Sequence, residues 1–240
     1  MRTLIGSNLK IEQLSENAFN LDTILLANFV RVQYRTKTII DVGTGNGSIA
    51  LYLTQKANAK VIGIEIQEHL AEMAINNVKI NDLENSINIV CCDIKKEYKS
   101  YKDIDCIVSN PPFFKVNDKT KINEIDEKAI SRHEISLNVL ELIEASSYML
   151  RTGGRLFIIH RPERLFEIIE HANKNRMSVK RVRFVHPYLN ASANHVLIEM
   201  HKDGKIELVV EKPLILYKEK HEMTEELQGI YSNNNYKEER

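Results

Sequence analysis

The chain lacks net charge: 33 Lys and Arg balance 33 Asp and Glu over 240 residues. That balance gives no whole-surface support for a nucleic-acid partner, so any such contact must rest on a local patch. Cysteine is scarce. Cys91, Cys92 and Cys106 fall in apolar strand-like runs without Cys-x-x-Cys or Cys/His ligand spacing, which argues against zinc and disulfides and for buried free thiols in a reducing cytosol. No apolar run approaches the roughly 18 residues of a membrane span, and Met1 to Lys10 lack a signal peptide's apolar region. The expectation is a cytoplasmic protein with no membrane partner and no metal. Internal repeats and low-complexity linkers are also missing, and 43% hydrophobic content at this length supports one buried core in a single domain.

What is present is a series of strand-like runs, each ending in a polar residue. Residues 1–36 read as a lid-like arm and a helix, with Asp22 as its N-cap and Phe19 beside it, where side chains can face a ligand. Residues 37–202 form the core. It opens with an apolar strand, a glycine-rich turn and a helical pattern, Asp41-Val-Gly43-Thr-Gly45-Asn-Gly47 lying at the turn. Glycines there let the backbone turn sharply and approach a ligand, while the helix N-terminus presents free N–H groups. Asp41 would repel a diphosphate and suits a cationic or amine-bearing ligand.

A second strand, 60–65, ends at Glu65, which can accept hydrogen bonds from ribose hydroxyls or cap the helix that starts near Gln67. A third, 87–92, ends before Asp93, open to an adenine amine or to a loop cap. The fourth leads into Asn110-Pro111-Pro112-Phe113. Asn110 offers a side-chain carbonyl and Pro111 a backbone carbonyl, together able to hold both hydrogens of a planar amine. Two aimed acceptors favour the pyramidal form, whose lone pair is freed for attack. The prolines stiffen the backbone, and Phe113 offers a flat face for a planar substrate. In an open parallel sheet all these strand ends share one ligand-binding edge.

Lys115 to Ile130 read as a polar gating loop, followed by Arg132-His133-Glu134. A helix then runs to Gly153-Gly154, and a strand, 155–160, precedes another helix opened by Pro162. Residues 179–185 pair with 195–200 across a loop that begins at His186 and should reach the ligand edge. Residues 203–240 read as a hairpin signalled by Asp203-Gly204 plus a polar tail. Cations gather between Arg161 and Arg183, including Arg164 and Arg181; they form either a solvated face or phosphate contacts.

These residues resemble class I S-adenosylmethionine-dependent methyltransferases, with 41–47 similar to the cofactor loop and 110–113 to the amine-methylating signature. Phe19 and Asp22 to Ala27, Arg132 to Glu134, and Phe184 to Pro187 further resemble the bacterial tRNA1(Val) (adenine(37)-N6)-methyltransferases. The resemblance implies a Rossmann-like α/β fold: a seven-stranded, mostly parallel sheet, helices on both faces and the last strands antiparallel. It implies S-adenosyl-L-methionine held by Phe19, Asp22, Asp41, Gly43, Gly45, Gly47, Glu65, Asp93 and Asn110. It implies methylation of an adenosine in tRNA at Asn110 to Phe113, with Lys115, Arg132, Arg164, Arg181, Arg183 and His186 toward the RNA. Competing expectations are a methyltransferase of ribosomal RNA or protein glutamine, and a nicotinamide-dependent oxidoreductase; the glutamine enzymes carry Tyr in the position of Phe113, and the oxidoreductase leaves 110–113 unexplained.

Overall fold

Along the central strands, neighbouring apolar residues point to opposite sides, and each side is covered by its own helices. The computed structural model describes residues 2–12, 21–113, 137–220 and 222–232. Ile39 packs on one face with helices α1 (Leu21–Phe29), α2 (Ser48–Lys56) and the Val78 turn of α3 (Glu68–Ile80), whereas Ile40 packs on the other with α5 (Val139–Met149) and α6 (Leu165–Lys174). This two-sided burial explains why the strands read as continuous apolar runs rather than alternating ones.

A short ribbon, β1 (Arg2–Thr3) with β2 (Lys10–Ile11), precedes the main sheet. That sheet contains β3 (Thr38–Val42), β4 (Lys60–Glu65), β5 (Ile87–Cys91), β6 (Ile104–Ser109), β7 (Leu150–His160), β8 (Met177–Tyr188) and β9 (His195–Lys202). Its order is β5-β4-β3-β6-β7-β9-β8, parallel from β5 through β7, with β9 antiparallel to both neighbours. The expected seven strands are therefore present, and β9 alone among them reverses. The chain order turns between β3 and β6, and in an open α/β sheet that crevice at the carboxyl ends is where ligands bind.

Three further strands extend the sheet beyond β8. β10 (Val209–Val210) and β11 (Leu214–Glu219) both pair with β8 in parallel, and β12 (Glu222–Met223) pairs with β11 before α7 (Glu225–Tyr231). This corrects the hairpin expected at Asp203-Gly204. Both edges of β9 are already taken, by β7 and β8, so the chain leaving it must travel to the free edge of β8. Two smaller expectations also change. Helix α5 stops at Met149 and the strand starts at once, with Gly153 and Gly154 inside it rather than at the helix end. Of the thiols only Cys106 is buried; Cys91 is exposed because β5 is the sheet's edge strand.

The described part of the arm is docked. Asn77 of α3 accepts from the Glu12 N–H at 2.6 Å and donates to the Glu12 carbonyl at 3.0 Å; one turn on, Asn81 treats Lys10 the same way at 2.8 and 2.7 Å. Two carboxamides on one helix face thus act as a strand edge for β2. Residues 13–20, with Phe19, and 114–136, with the loop from Lys115 and the Arg132-His133-Glu134 group, lie outside the described residues.

Candidate active site

The glycine turn leaves β3 with Gly43, Gly45 and Gly47 at φ 72°, 57° and 85°, values that side chains other than glycine rarely adopt. Backbone N–H groups of Gly43 and Thr44 both donate to the Ile64 carbonyl, pinning the turn to the end of β4. A Cβ added at Gly43 or Gly45 would meet nothing within 4 Å, so these two residues border open space. Gly47 differs: a Cβ there would press on Ala74 Cβ at 3.3 Å, so its lack of a side chain serves packing against α3.

Asp41 is fully buried beneath the turn. Its Oδ2 accepts from the Thr44 hydroxyl at 2.6 Å and from the Ala50 N–H in the first turn of α2 at 3.1 Å, while Oδ1 has no partner among the described residues. Burial pushes this carboxyl up to about 7, with the Thr44 and Ala50 hydrogen bonds opposing and the nearby Glu65 charge adding to the rise. Glu65, at the end of β4, is also tied to the turn: Oε2 accepts from the Gly45 N–H and Oε1 from the Gln67 N–H, each at 2.9 Å. One side chain thus fastens both the glycine turn and the entry to α3, and it retains further lone pairs for hydroxyl donors. Asp93 caps the short helix α4 (Ile94–Glu97) through the Lys95 N–H at 3.0 Å.

At the end of β6 the Ser109 hydroxyl donates to the Val42 carbonyl at 2.7 Å, which ties the start of the Asn110 segment to the start of the glycine turn. Asn110 is half-buried, and its side chain makes no hydrogen bond among the described residues. Phe113 is boxed by two histidines that sequence reasoning missed and by Arg161, the first of the gathered cations. Its ring centroid lies 5.3 Å from that of His160 and 5.7 Å from that of His195, and the Arg161 guanidinium stands over it at 5.0 Å. His160 ends β7 and His195 begins β9, so both imidazoles come from the ligand edge. The available signal was a histidine bounding an apolar run, His160 after Leu156 to Ile159 and His195 before Val196 to Ile198.

His160 is fully buried; Nδ1 accepts the Arg161 N–H at 2.8 Å, and Nε2 has no partner among the described residues. Burial, reinforced by the Arg164 charge, pushes this imidazole down to about 4, so it is neutral and carries its proton on Nε2. His195 is also held below its usual range by burial, against the pull of Asp22, whose Oδ1 is 3.3 Å from Nε2. Asp22 lies inside the first turn of α1, not before it, and bridges that helix to the Phe113 box.

The cations expected to face RNA make contacts within the protein. Arg181 is buried, ion-paired with Glu199 at 2.7 Å and Glu211 at 3.1 Å, and stacked 3.8 Å over the Phe29 ring. Burial would raise Glu199, but hydrogen bonds from His201 and Arg181 outweigh it and hold the carboxyl below its ordinary value. Arg183 pairs with Glu226 at 2.6 Å and Arg164 with Glu167. These arginines brace the sheet's outer edge and α6 through those carboxylates. His186 is engaged with the Ala191 carbonyl at 2.7 Å and so braces the β8–β9 loop. Among the described residues no His, Cys, Asp and Glu cluster could hold a metal ion, and no helix is long and apolar enough to cross a membrane.

Comparison with known proteins bears on this arrangement. A protein from Parabacteroides distasonis called tRNA1(Val) (adenine(37)-N6)-methyltransferase is 30% identical over 215 residues, 87% of this chain and 86% of that one. One of the same description from Cytophaga hutchinsonii is 31% identical over 161 residues, covering 67% of this chain and 66% of the relative. Among solved structures, a predicted O-methyltransferase from Agrobacterium tumefaciens superposes with a TM-score of 0.69 at 21% identity, over 90% of this chain and 97% of that one. A ribosomal protein L11 methylase from Lactobacillus delbrueckii does so at 0.55 and 16%, over 76% and 77%. Such dissimilar substrates on one scaffold mean that the fold alone does not set the acceptor. The family described as Methyltransferase small domain matches residues 13–185, and the chain belongs to that family of class I S-adenosylmethionine-dependent methyltransferases.

Proposed function

We propose that this chain methylates the exocyclic N6 amine of an adenosine in tRNA, the adenosine at position 37 of tRNA1(Val). The observation that carries the reading is Asn110: a half-buried carboxamide with no hydrogen bond among the described residues, at the ligand edge, beside the Pro111 carbonyl and one strand from the glycine turn. Side-chain amides in turns usually bond their own backbone. An uncommitted one beside a second acceptor suits a planar amine, whose two hydrogens take both carbonyls. The relatives from Parabacteroides distasonis and Cytophaga hutchinsonii, described as tRNA methyltransferases, support the choice of RNA.

The residues present fit S-adenosylmethionine. Gly43 and Gly45 border open space, and Glu65 stands where ribose hydroxyls can share its lone pairs. When bound, the sulfonium supplies an electrophilic methyl group. The chain's own contribution is orientation: Asn110 and Pro111 fix the amine and favour its pyramidal form, and Phe113 supplies a face for the base. An anticodon-loop base must leave its stack to reach them, which costs less than in a duplex.

The direct test uses purified protein, isotope-labelled methyl donor and total tRNA from cells lacking the modification. Nucleoside analysis should recover label as N6-methyladenosine. Label absent from RNA, or found on another nucleoside, would sink the reading.

A further inference from the structure

From Arg164 to Arg183 every lysine and arginine is already ion-paired. Arg164 pairs with Glu167, Lys174 with Glu170 at 2.7 Å, Arg176 with Asp203 at 2.7 Å, Lys180 with Glu207 at 3.1 Å, Arg181 with Glu199 and Arg183 with Glu226. Arg161 stands apart. It is exposed and has no carboxylate partner among the described residues. Its guanidinium gives one N–H to the Asn194 carbonyl at 2.9 Å and lies over Phe113 at the mouth of the candidate site.

We propose that Arg161 holds a backbone phosphate of the substrate RNA next to the nucleotide that enters against Phe113. The inference rests on the tRNA reading above and adds the residue that couples RNA affinity to that site. Two features prepare the side chain for the task. Its backbone N–H is fixed by His160 Nδ1 and its Nη1 by Asn194, so the fork is held on the ligand edge rather than free to roam. A guanidinium has five donors, and the one spent on Asn194 leaves others for an anion. The positive charge is also felt locally, since it helps keep the His160 and His195 imidazoles below their usual range. Phosphate would meet an unneutralised cation there, whereas at Arg181 or Arg183 it would have to displace a carboxylate.

The test is RNA binding by the intact chain, measured by fluorescence anisotropy of unmodified tRNA between about 50 and 200 mM salt. Arg161→Gln should weaken binding several-fold at low salt and reduce the magnitude of the log–log salt slope by roughly 0.7 to 1. Arg161→Lys should keep the slope, because the charge remains. Lys174→Gln removes an equal charge from the same stretch and should leave the slope at its wild-type value. Melting temperature and S-adenosylhomocysteine affinity, measured alongside, should match wild type for all three. A wild-type slope in Arg161→Gln, or an equal loss in Lys174→Gln, overturns the assignment while leaving tRNA methylation standing. Wild-type protein that neither binds nor methylates RNA overturns the substrate reading, and this inference with it.

Discussion

The hydroxyl of Ser109 donates to the carbonyl of Val42, joining the last residue of β6 to the last residue of β3 across their shared ladder. One buried hydrogen bond thereby sets the distance between the amine-holding segment and the glycine turn. Ser109→Ala should cost about 1 kcal/mol of stability, the net worth of an ordinary intramolecular hydrogen bond. It should also lower kcat about tenfold, since small misplacements of reacting groups are expensive. Michaelis constants should stay near wild type. A drop in melting temperature with unchanged kcat would reduce Ser109 to a packing role.

Asn77 makes a second link, joining the arm to the turn: besides its two bonds to Glu12 it donates to the Asn46 carbonyl at 2.9 Å, and it is fully buried. Asn77→Leu keeps the volume but strands three backbone groups, at about 1 to 3 kcal/mol for each that water cannot reach. We expect a loss of about 2 to 4 kcal/mol in urea unfolding, together with weaker S-adenosylhomocysteine binding through a loosened turn. Asn81→Leu, whose bonds to Lys10 are exposed, should cost less than half as much. Equal losses at the two positions would contradict the bridging role.

The sheet was legible because its strands are short apolar runs punctuated by glycine, and because Asp41, Glu65, Asp93 and Asn110 recur at the points where those runs stop. Asn110 was legible for its neighbours, the two prolines. What could not be read was commitment. Arg181 looks the same in sequence whether it meets water or Glu199, and one of its partners, the Phe29 carbonyl, lies 152 residues away. The box around Phe113 is assembled from β7 and β9, so its members share no local spacing. Nothing local marks Asn77, because its partners are backbone groups of Glu12 and Asn46, far away in sequence.

Asp41 makes stability depend on pH in an uncommon direction. Its carboxyl is pushed from 3.8 to about 7 by burial, only partly offset by Thr44 and Ala50. Between about pH 4 and 7 the unfolded chain has released this proton and the folded chain keeps it, so this group's contribution falls as pH rises, by up to about 1.4 kcal/mol per unit. Above the folded value the penalty is complete, at most about 4 kcal/mol. Glu199, held low, acts in the opposite sense in acid, so the informative quantity is the difference from Asp41→Asn. Urea unfolding should show that variant gaining on wild type from pH 5 to pH 7. A pH-independent difference would mean that Asp41 is ionised throughout.

Asn110→Ala is the most direct test of the chemistry. An acceptor that matters as the amine pyramidalises contributes more to the transition state than to substrate binding, so turnover should fall while S-adenosylhomocysteine affinity holds. Removing one aimed polar group of this kind commonly costs on the order of 3 kcal/mol, or about a hundredfold in rate. Asn110→Asp keeps an acceptor of similar size and adds charge, so its activity should lie between that of Ala and wild type. The plainer account, in which Asn110 merely opens a turn before Pro111, lacks the side-chain-to-backbone hydrogen bond such a residue would make among the described residues. That account expects both variants to melt earlier and to keep full activity per folded molecule. Melting temperature, cofactor affinity and single-turnover methylation of tRNA, measured on the same preparations, separate the two, and an undiminished rate in folded Asn110→Ala protein would refute the role assigned to this carbonyl.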